Sequence, residues 1–245
     1  MVDNTKILID AGLSAKRIVQ ALQSIGESPS ELSAILVTHE HSDHRHGVGI
    51  MSRKFDVPIF ANENTWNAME KEIGPVNIKN KQYFRTDKEF EIGGIGIKPF
   101  KIPHDAADPV GFNFFSKNIK ITTATDLGHI TKELLSHFDE SNLILLESNH
   151  DVEMLRIGPY PWHLKKRIEG ENGHLSNEMA GKVVAYLAER GTKRFLLGHL
   201  SKENNFPELA YQTVLNALTE KKIAVGSDIS LDIALRDRIG EIIEF

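Results

Sequence analysis

The chain has no cysteine. That absence removes disulfides, thiolate metal sites and cysteine nucleophiles together, so any metal must be held by nitrogen and oxygen. Nor does it contain an apolar run of the roughly 18 residues needed to span a bilayer. Its opening, "MVDNTKILIDAG", lacks the basic region and apolar core of a secretory signal. A cytoplasmic protein without a membrane partner is expected. The net charge of −5 at pH 7 argues against nucleic-acid binding over the whole surface but leaves room for a local basic groove. The glycine-rich stretch "GGIGIK" lacks the strand–turn–helix setting of a phosphate-binding loop.

What remains is ordinary in bulk: 245 residues, 40% hydrophobic and 26% charged. That is enough for one large domain or two compact halves. Thr5 to Gly12 reads as a strand and turn, followed by a helix with Ser14 as cap and Ile18, Leu22 and Ile25 on one face. "SAILVT" is a short apolar strand, and "DHRHGVGIMSRKF" reads as one short helix beginning near Asp43. A further strand leads into a capped helix from Asn64 towards Glu72. The middle alternates short strands with glycine turns, and helical segments return from Lys132. An α/β protein with two sheets and outer helices fits this order better than a doubly wound βαβ fold.

One segment is not ordinary. "LVTHEHSDHRHG" places His39, His41, Asp43, His44 and His46 directly behind an apolar strand. Residues two apart on an extended backbone point the same way, so His39 and His41 address one point. Asp43 and His44, at the turn into a helix, address a second. Other polar groups stand at the ends of apolar runs: His104, Asp126, Glu147 with His150 soon after, and His199. Side chains at the same end of neighbouring strands can converge. His104 then completes three nitrogens for a first ion, His199 joins Asp43 and His44 at a second, and Asp126 bridges. Such a mixed set suits two divalent ions, zinc or manganese, with iron tolerated. His46, His129 and His137 read as ordinary solvated or packed histidines.

"THEHSDH" matches the H-x-H-x-D-H signature of metallo-β-lactamase-fold hydrolases, and the resemblance spans nearly the whole chain. "IPHDAADPVGF", "TATDLGH", "LLESNHD", "GHLSN" and "GHLSKENN" narrow it: together they resemble the YycJ/WalJ-like proteins of bacteria. The resemblance implies an α/β, four-layer αββα sandwich. It implies the same ligand set, His39, His41 and His104 on one metal and Asp43, His44 and His199 on the other, with Asp126 shared. It places Asp10 as a buried support for a ligand imidazole. His174 is implied at the far side of the phosphorus or as donor to the leaving oxygen, although Ser176 with "NEM" also makes it the neighbour of a helix start. Ser201, in "HLS", is implied to touch a substrate phosphate. Relatives carry an extra strand ahead of the segment matching "TKILIDAG". Here only "MVDN" precedes it, which implies one domain over residues 1–245 with that N-terminal strand missing.

The expected activity is therefore hydrolysis of a phosphodiester, in the pattern of DNA exonucleases that cut from the 5′ end. Two metals would make a nucleophile available near neutral pH. Asp43 would add charge and orient the nucleophile, and Asp126 would set the metal separation. DNA or another phosphodiester is the expected partner, and a homodimer stays open. A non-catalytic metal-binding regulator and a hydrolase of small esters or thioesters are the alternatives, because the metal set alone does not choose phosphate. "RIGPYPWHLKKR", with Arg156, Lys165, Lys166 and Arg167 beside Tyr160 and Trp162, is either a strip that holds phosphates and stacks a base or a solvated helix face with a packed tryptophan.

Overall fold

A computed structural model describes residues 1–2 and 4–245. Asp3, in the short segment ahead of the first strand, lies outside the described residues. The chain divides into two compact units. The first comprises Met1–Lys101, Ala106–Val110 and Phe114–Ser116; the second comprises Ile102–Asp105, Gly111–Asn113 and Lys117–Phe245.

In the first unit, strands β1 (Ile7–Ile9), β2 (Ala34–Leu36), β3 (Ile59–Ala61) and β4 (Lys81–Tyr83) form a parallel sheet in that order. Parallel neighbours need crossovers. Helices α1 (Ala15–Ser24), α2 (Ser42–Arg45), α3 (Val48–Phe55) and α4 (Glu63–Ile73) lie in them. Ile35, Val37, Met51, Ile59, Trp66 and Met69 belong to the apolar core, all fully buried. Ser14 caps α1 as its sequence indicates, accepting from the Arg17 amide. The second expected cap lies earlier than Asn64: Asn62 accepts from the Thr65 amide at 2.9 Å and starts α4 at Glu63. The single helix expected from Asp43 is two. The chain breaks at His46–Gly47, where the Gly47 amide donates to Ala11 O. Strands β5 (Phe90–Ile92) and β6 (Ile95–Lys101) pair antiparallel through a glycine turn.

Strand β7 (Val110–Ser116) contributes residues to both units. The second unit carries β8 (Ile119–Ala124), α5 (Lys132–Phe138), β9 (Leu143–Glu147), α6 (Val152–Ile157), α7 (Trp162–Glu169), α8 (Asn177–Glu189), β10 (Arg194–Gly198), α9 (Pro207–Glu220) and β11 (Ser230–Ile233). Here β8, β9, β10 and β11 run parallel in that order. Their carboxyl ends therefore share one edge, where ligand sites of parallel sheets form. Phe138, Phe195, Leu146, Leu197, Val184 and Val214 fill the core beneath. Among the described residues, no helix is long and apolar enough to cross a membrane.

Candidate metal centre

The first unit presents its donors behind β2. Ala34, Ile35 and Leu36 are fully buried, and the chain leaves the sheet with Thr38 and His39 still buried. Asp10, just past β1, takes a left-handed backbone (φ 55°). Its carboxylate accepts from the Thr38 amide and hydroxyl, each at 2.8 Å, and meets His44 Nδ1 at 2.8 Å. A carboxylate only accepts, so His44 carries its proton on Nδ1 and presents Nε2 as an electron-pair donor. The same reasoning reaches His39. The Thr38 hydroxyl proton is committed to Asp10, so the 3.0 Å contact of His39 Nδ1 with Thr38 Oγ1 has the imidazole donating. His41 packs edge-on to His39, and His44 lies beside it, with ring centroids 4.6 and 4.1 Å away. Asp43 Oδ2 lies 4.0 Å from His44 Nε2. Gly12 makes this crowding feasible: a Cβ there would fall 1.5 Å from Asp43 O.

The second unit brings its polar groups to the shared strand edge. Gly198 pairs with Glu147, and Ala124 with Leu146. Asp126, Glu147 and His199 are thus neighbours across three strands. Asp126 and His199 also adopt left-handed backbones (φ 61° and 56°), a conformation costly for non-glycine residues and concentrated at functional sites. His104 donates from Nδ1 to Gly173 O at 3.1 Å, which leaves Nε2 as its donor pair, 3.7 Å from Asp126 Oδ1. Burial holds the His104 imidazole below its ordinary pKa against the pull of Asp126, which favours the neutral, ligating form. Gly173 must be glycine, since a Cβ there would meet Ile168 O at 2.2 Å.

Glu147 is the residue that sequence reasoning noted at a strand end and gave no role. It is fully buried. Its Oε1 accepts from His199 Nδ1 at 2.7 Å and His174 Nδ1 at 3.0 Å. Its Oε2 accepts from the Leu127 and Leu175 amides at 3.0 and 2.9 Å. Burial alone would raise its pKa. The His174 charge and the hydrogen bonds from both imidazoles outweigh burial and bring it down to about 2. In return Glu147 raises His174, overcoming burial in the opposite sense. The usable signal was a carboxylate closing "NLILLE", where only an ionic or metal-linked role justifies burial. Asp126, Glu147, His174 and His199 each offer a ligand atom, all within 4.8 Å of one another.

The remaining expected residues are less directly engaged. Ser201 accepts at Oγ from the Asn204 amide and donates its own amide to Asn149 O. Ser176 caps α8, accepting from the Met179 amide, so His174 does stand just before a helix. His129 bonds to Glu171 O. His150 is buried beside β9, and burial lowers its pKa. Asn205 fastens the loops after β9 and β10 together, donating to Ser148 O, Asn149 O and Asn177 Oδ1.

Every group in these clusters is an imidazole or carboxylate, and five imidazoles, those of His39, His44, His104, His174 and His199, have Nδ1 committed to the protein. That donor chemistry fits hard or borderline divalent ions. The His, Asp and Glu clusters are compatible with a two-metal site.

The Beta-lactamase superfamily domain matches residues 5–200. The exodeoxyribonuclease WalJ of Streptococcus pneumoniae is 42% identical over 228 residues, covering 92% of this chain and 85% of the relative. The exodeoxyribonuclease YycJ of Bacillus anthracis is 42% identical over 224 residues, covering 91% and 85%. Among solved structures, Zn(2+)-bound PqqB from Methylobacterium extorquens has a TM-score of 0.70 at 17% identity, covering 96% of this chain and 83% of that one; it shares the fold. The mixed sheet–helix arrangement is that of the metallo-β-lactamase fold, and the chain belongs to that superfamily and, within it, to the WalJ/YycJ-like proteins.

Proposed function

We propose that this chain is a two-metal exodeoxyribonuclease that degrades DNA from the 5′ end, with residues 1–245 acting as one catalytic domain. The observation that carries the reading is the pair of imidazoles, His174 and His199, held on one oxygen of Glu147 beside Asp126. The 42% identity to two exodeoxyribonucleases supports DNA as the substrate.

In this reading His39, His41 and His104 hold one ion and Asp43, His44 and His199 the other, with Asp126 shared. Zinc or manganese suits the set, and iron is compatible with it. The ions would supply a nucleophile near neutral pH and charge for the phosphate oxygens. The chain's own residues do the rest. Asp10 fixes the tautomer and aim of His44, and Thr38 does so for His39. Asp43 orients the attacking group. His174, whose pKa Glu147 raises against the opposing effect of burial, donates a proton to the departing oxygen. Ser201 contacts a substrate phosphate through its hydroxyl proton.

The test is incubation with manganese or zinc and 5′-phosphorylated single-stranded DNA. Stepwise shortening from that end is expected. Intact DNA together with intact bis-p-nitrophenyl phosphate would overturn the reading.

A further inference from the structure

We propose that the corner between α6 and α7 is a stacking platform for single-stranded DNA, with Trp162 as the ring that receives a base and Lys166 as the contact to an adjacent phosphate. The proposal deepens the nuclease reading and rests on it for the identity of the strand.

The sequence left two readings of "RIGPYPWHLKKR", one of them a packed tryptophan. Packing is not what the structure has. Trp162 is 68% exposed, whereas the chain's other tryptophan, Trp66, is fully buried. A large apolar ring left in water at this extent is the informative kind of exposure. Lys166, one turn further along α7, sets its ammonium 5.3 Å from the Trp162 ring centroid and makes no ion pair among the described residues. A cation beside an exposed indole is the pairing that single-strand binding surfaces use: the ring stacks bases of any sequence and the cation follows the backbone.

Charge complementarity favours a polyanion. The chain is −5 overall, yet residues 155–168 hold four basic side chains and no acidic one. Three of the four are spent on structure. Arg167 makes two hydrogen bonds to the Asp105 carboxylate, and Arg156 pairs with Glu153 and Glu169. Lys165 donates to Arg156 O and Gly158 O, both at 2.7 Å, and so braces the turn from which Trp162 projects. Lys166 is the cation left to face a ligand.

The platform is also attached to the site. Asp105, the Arg167 partner, follows His104 directly. The His174 amide donates to Ile168 O at 2.9 Å. The carboxyl end of α7 therefore abuts His104 and His174, and Trp162 stands at its amino end. Eight residues of helix rise about 12 Å, and successive nucleotides of a stacked strand advance about 3.4 Å. Trp162 is placed to receive a base roughly three or four nucleotides from the scissile bond.

The two tryptophans make the test direct. Phosphorothioate oligodeoxythymidylate, long enough to reach from the metal site past Trp162, is titrated into the full chain while tryptophan emission is read. Quenching is expected in the parent and absent from Trp162→Phe, where only buried Trp66 emits. By fluorescence anisotropy of a labelled oligonucleotide, Trp162→Phe retains most of the affinity and Trp162→Ala loses about tenfold. Lys166→Ala lowers the salt slope of binding by about one. Unchanged emission at saturation, or equal affinity of parent and Trp162→Ala, overturns the proposal. So does a parent dimer that Trp162→Ala converts to monomer with no response to the oligonucleotide, which would assign the face to a second copy. Hydrolysis of bis-p-nitrophenyl phosphate by the parent without quenching removes the platform alone. Quenching without any hydrolysis removes the nuclease reading alone.

Discussion

His199 Nδ1 donates to Glu147 Oε1 across 2.7 Å, and the two residues are joined by nothing in sequence: 52 positions separate them. Glu147 has no spare capacity. His174 shares Oε1, and the Leu127 and Leu175 amides occupy Oε2. A glutamine at this position must turn its NH2 towards two donors whichever way it is placed. Glu147→Gln is therefore expected to lose about 3 kcal/mol of stability and to weaken metal binding by about 10–100-fold. Chemical denaturation and competitive metal titration read these two effects. A variant that keeps parental stability and affinity would show that the buried carboxylate charge is not what orders the imidazoles.

The same carboxylate gives the metal-free chain an acid-sensitive component of stability. Its pKa falls from 4.5 to about 2 on folding. A depressed carboxylate contributes fully above its unfolded pKa, and the contribution disappears as pH falls through the folded one. For the chelator-treated protein, the loss attributable to Glu147 should begin below about pH 4.5 and reach the order of 3 kcal/mol near pH 2. Denaturant midpoints collected down this range should show that slope in the parent and not in Glu147→Gln. Parallel slopes would sink the assignment.

The contrast between Glu147 and the His39 cluster explains what the sequence made legible. His39, His41, Asp43 and His44 are close in the chain, so their grouping needed only a strand followed by a turn. The strand-end positions of His104, Asp126 and His199 were legible because apolar runs announce buried strands. The Glu147 partnership was not, since its partners lie 27 and 52 residues away: the register of β9 with β10 brings His199 to it, and the bond of the Leu175 amide to Glu147 holds His174 there. Local breaks were hidden for a similar reason. Nothing near "DHRHG" reveals that the Gly47 amide is claimed by Ala11 O, which divides one expected helix into two. Asn64 and Asn62 are equally good caps by residue type, and the end of β3 at Ala61 decides for Asn62.

Gly12 offers a purely steric test of how the first unit presents its donors. A methyl group there would lie 1.5 Å from Asp43 O and 2.3 Å from Asp43 C. Those are backbone atoms in α2, so no side chain can swing aside. Gly12→Ala is expected to displace the Asp43–His44 turn and to cost about 1–3 kcal/mol or more. Differential scanning calorimetry would read the loss, and zinc titration would show weakened binding. A melting temperature equal to the parent's would mean that this approach relaxes freely.

Asp126 and His174 belong to one cluster and are proposed to do different things, so alanine at each should separate metal content from rate. Asp126 is almost wholly buried, with Oδ1 3.7 Å from His104 Nε2 and 3.5 Å from His199 Nδ1. Removing a shared ligand should lower bound metal and abolish hydrolysis together. His174 instead has Nδ1 on Glu147 and is proposed to serve the leaving oxygen. Its loss should cost about 10²–10⁴ in rate while metal content, measured by inductively coupled plasma mass spectrometry, stays at the parental level. A substrate with a more acidic leaving group needs less protonation, so the deficit of His174→Ala should shrink on a p-nitrophenyl ester relative to DNA. If His174→Ala loses a metal ion, or loses the same factor on both substrates, His174 is a ligand or a structural partner of Glu147 and not the proton donor.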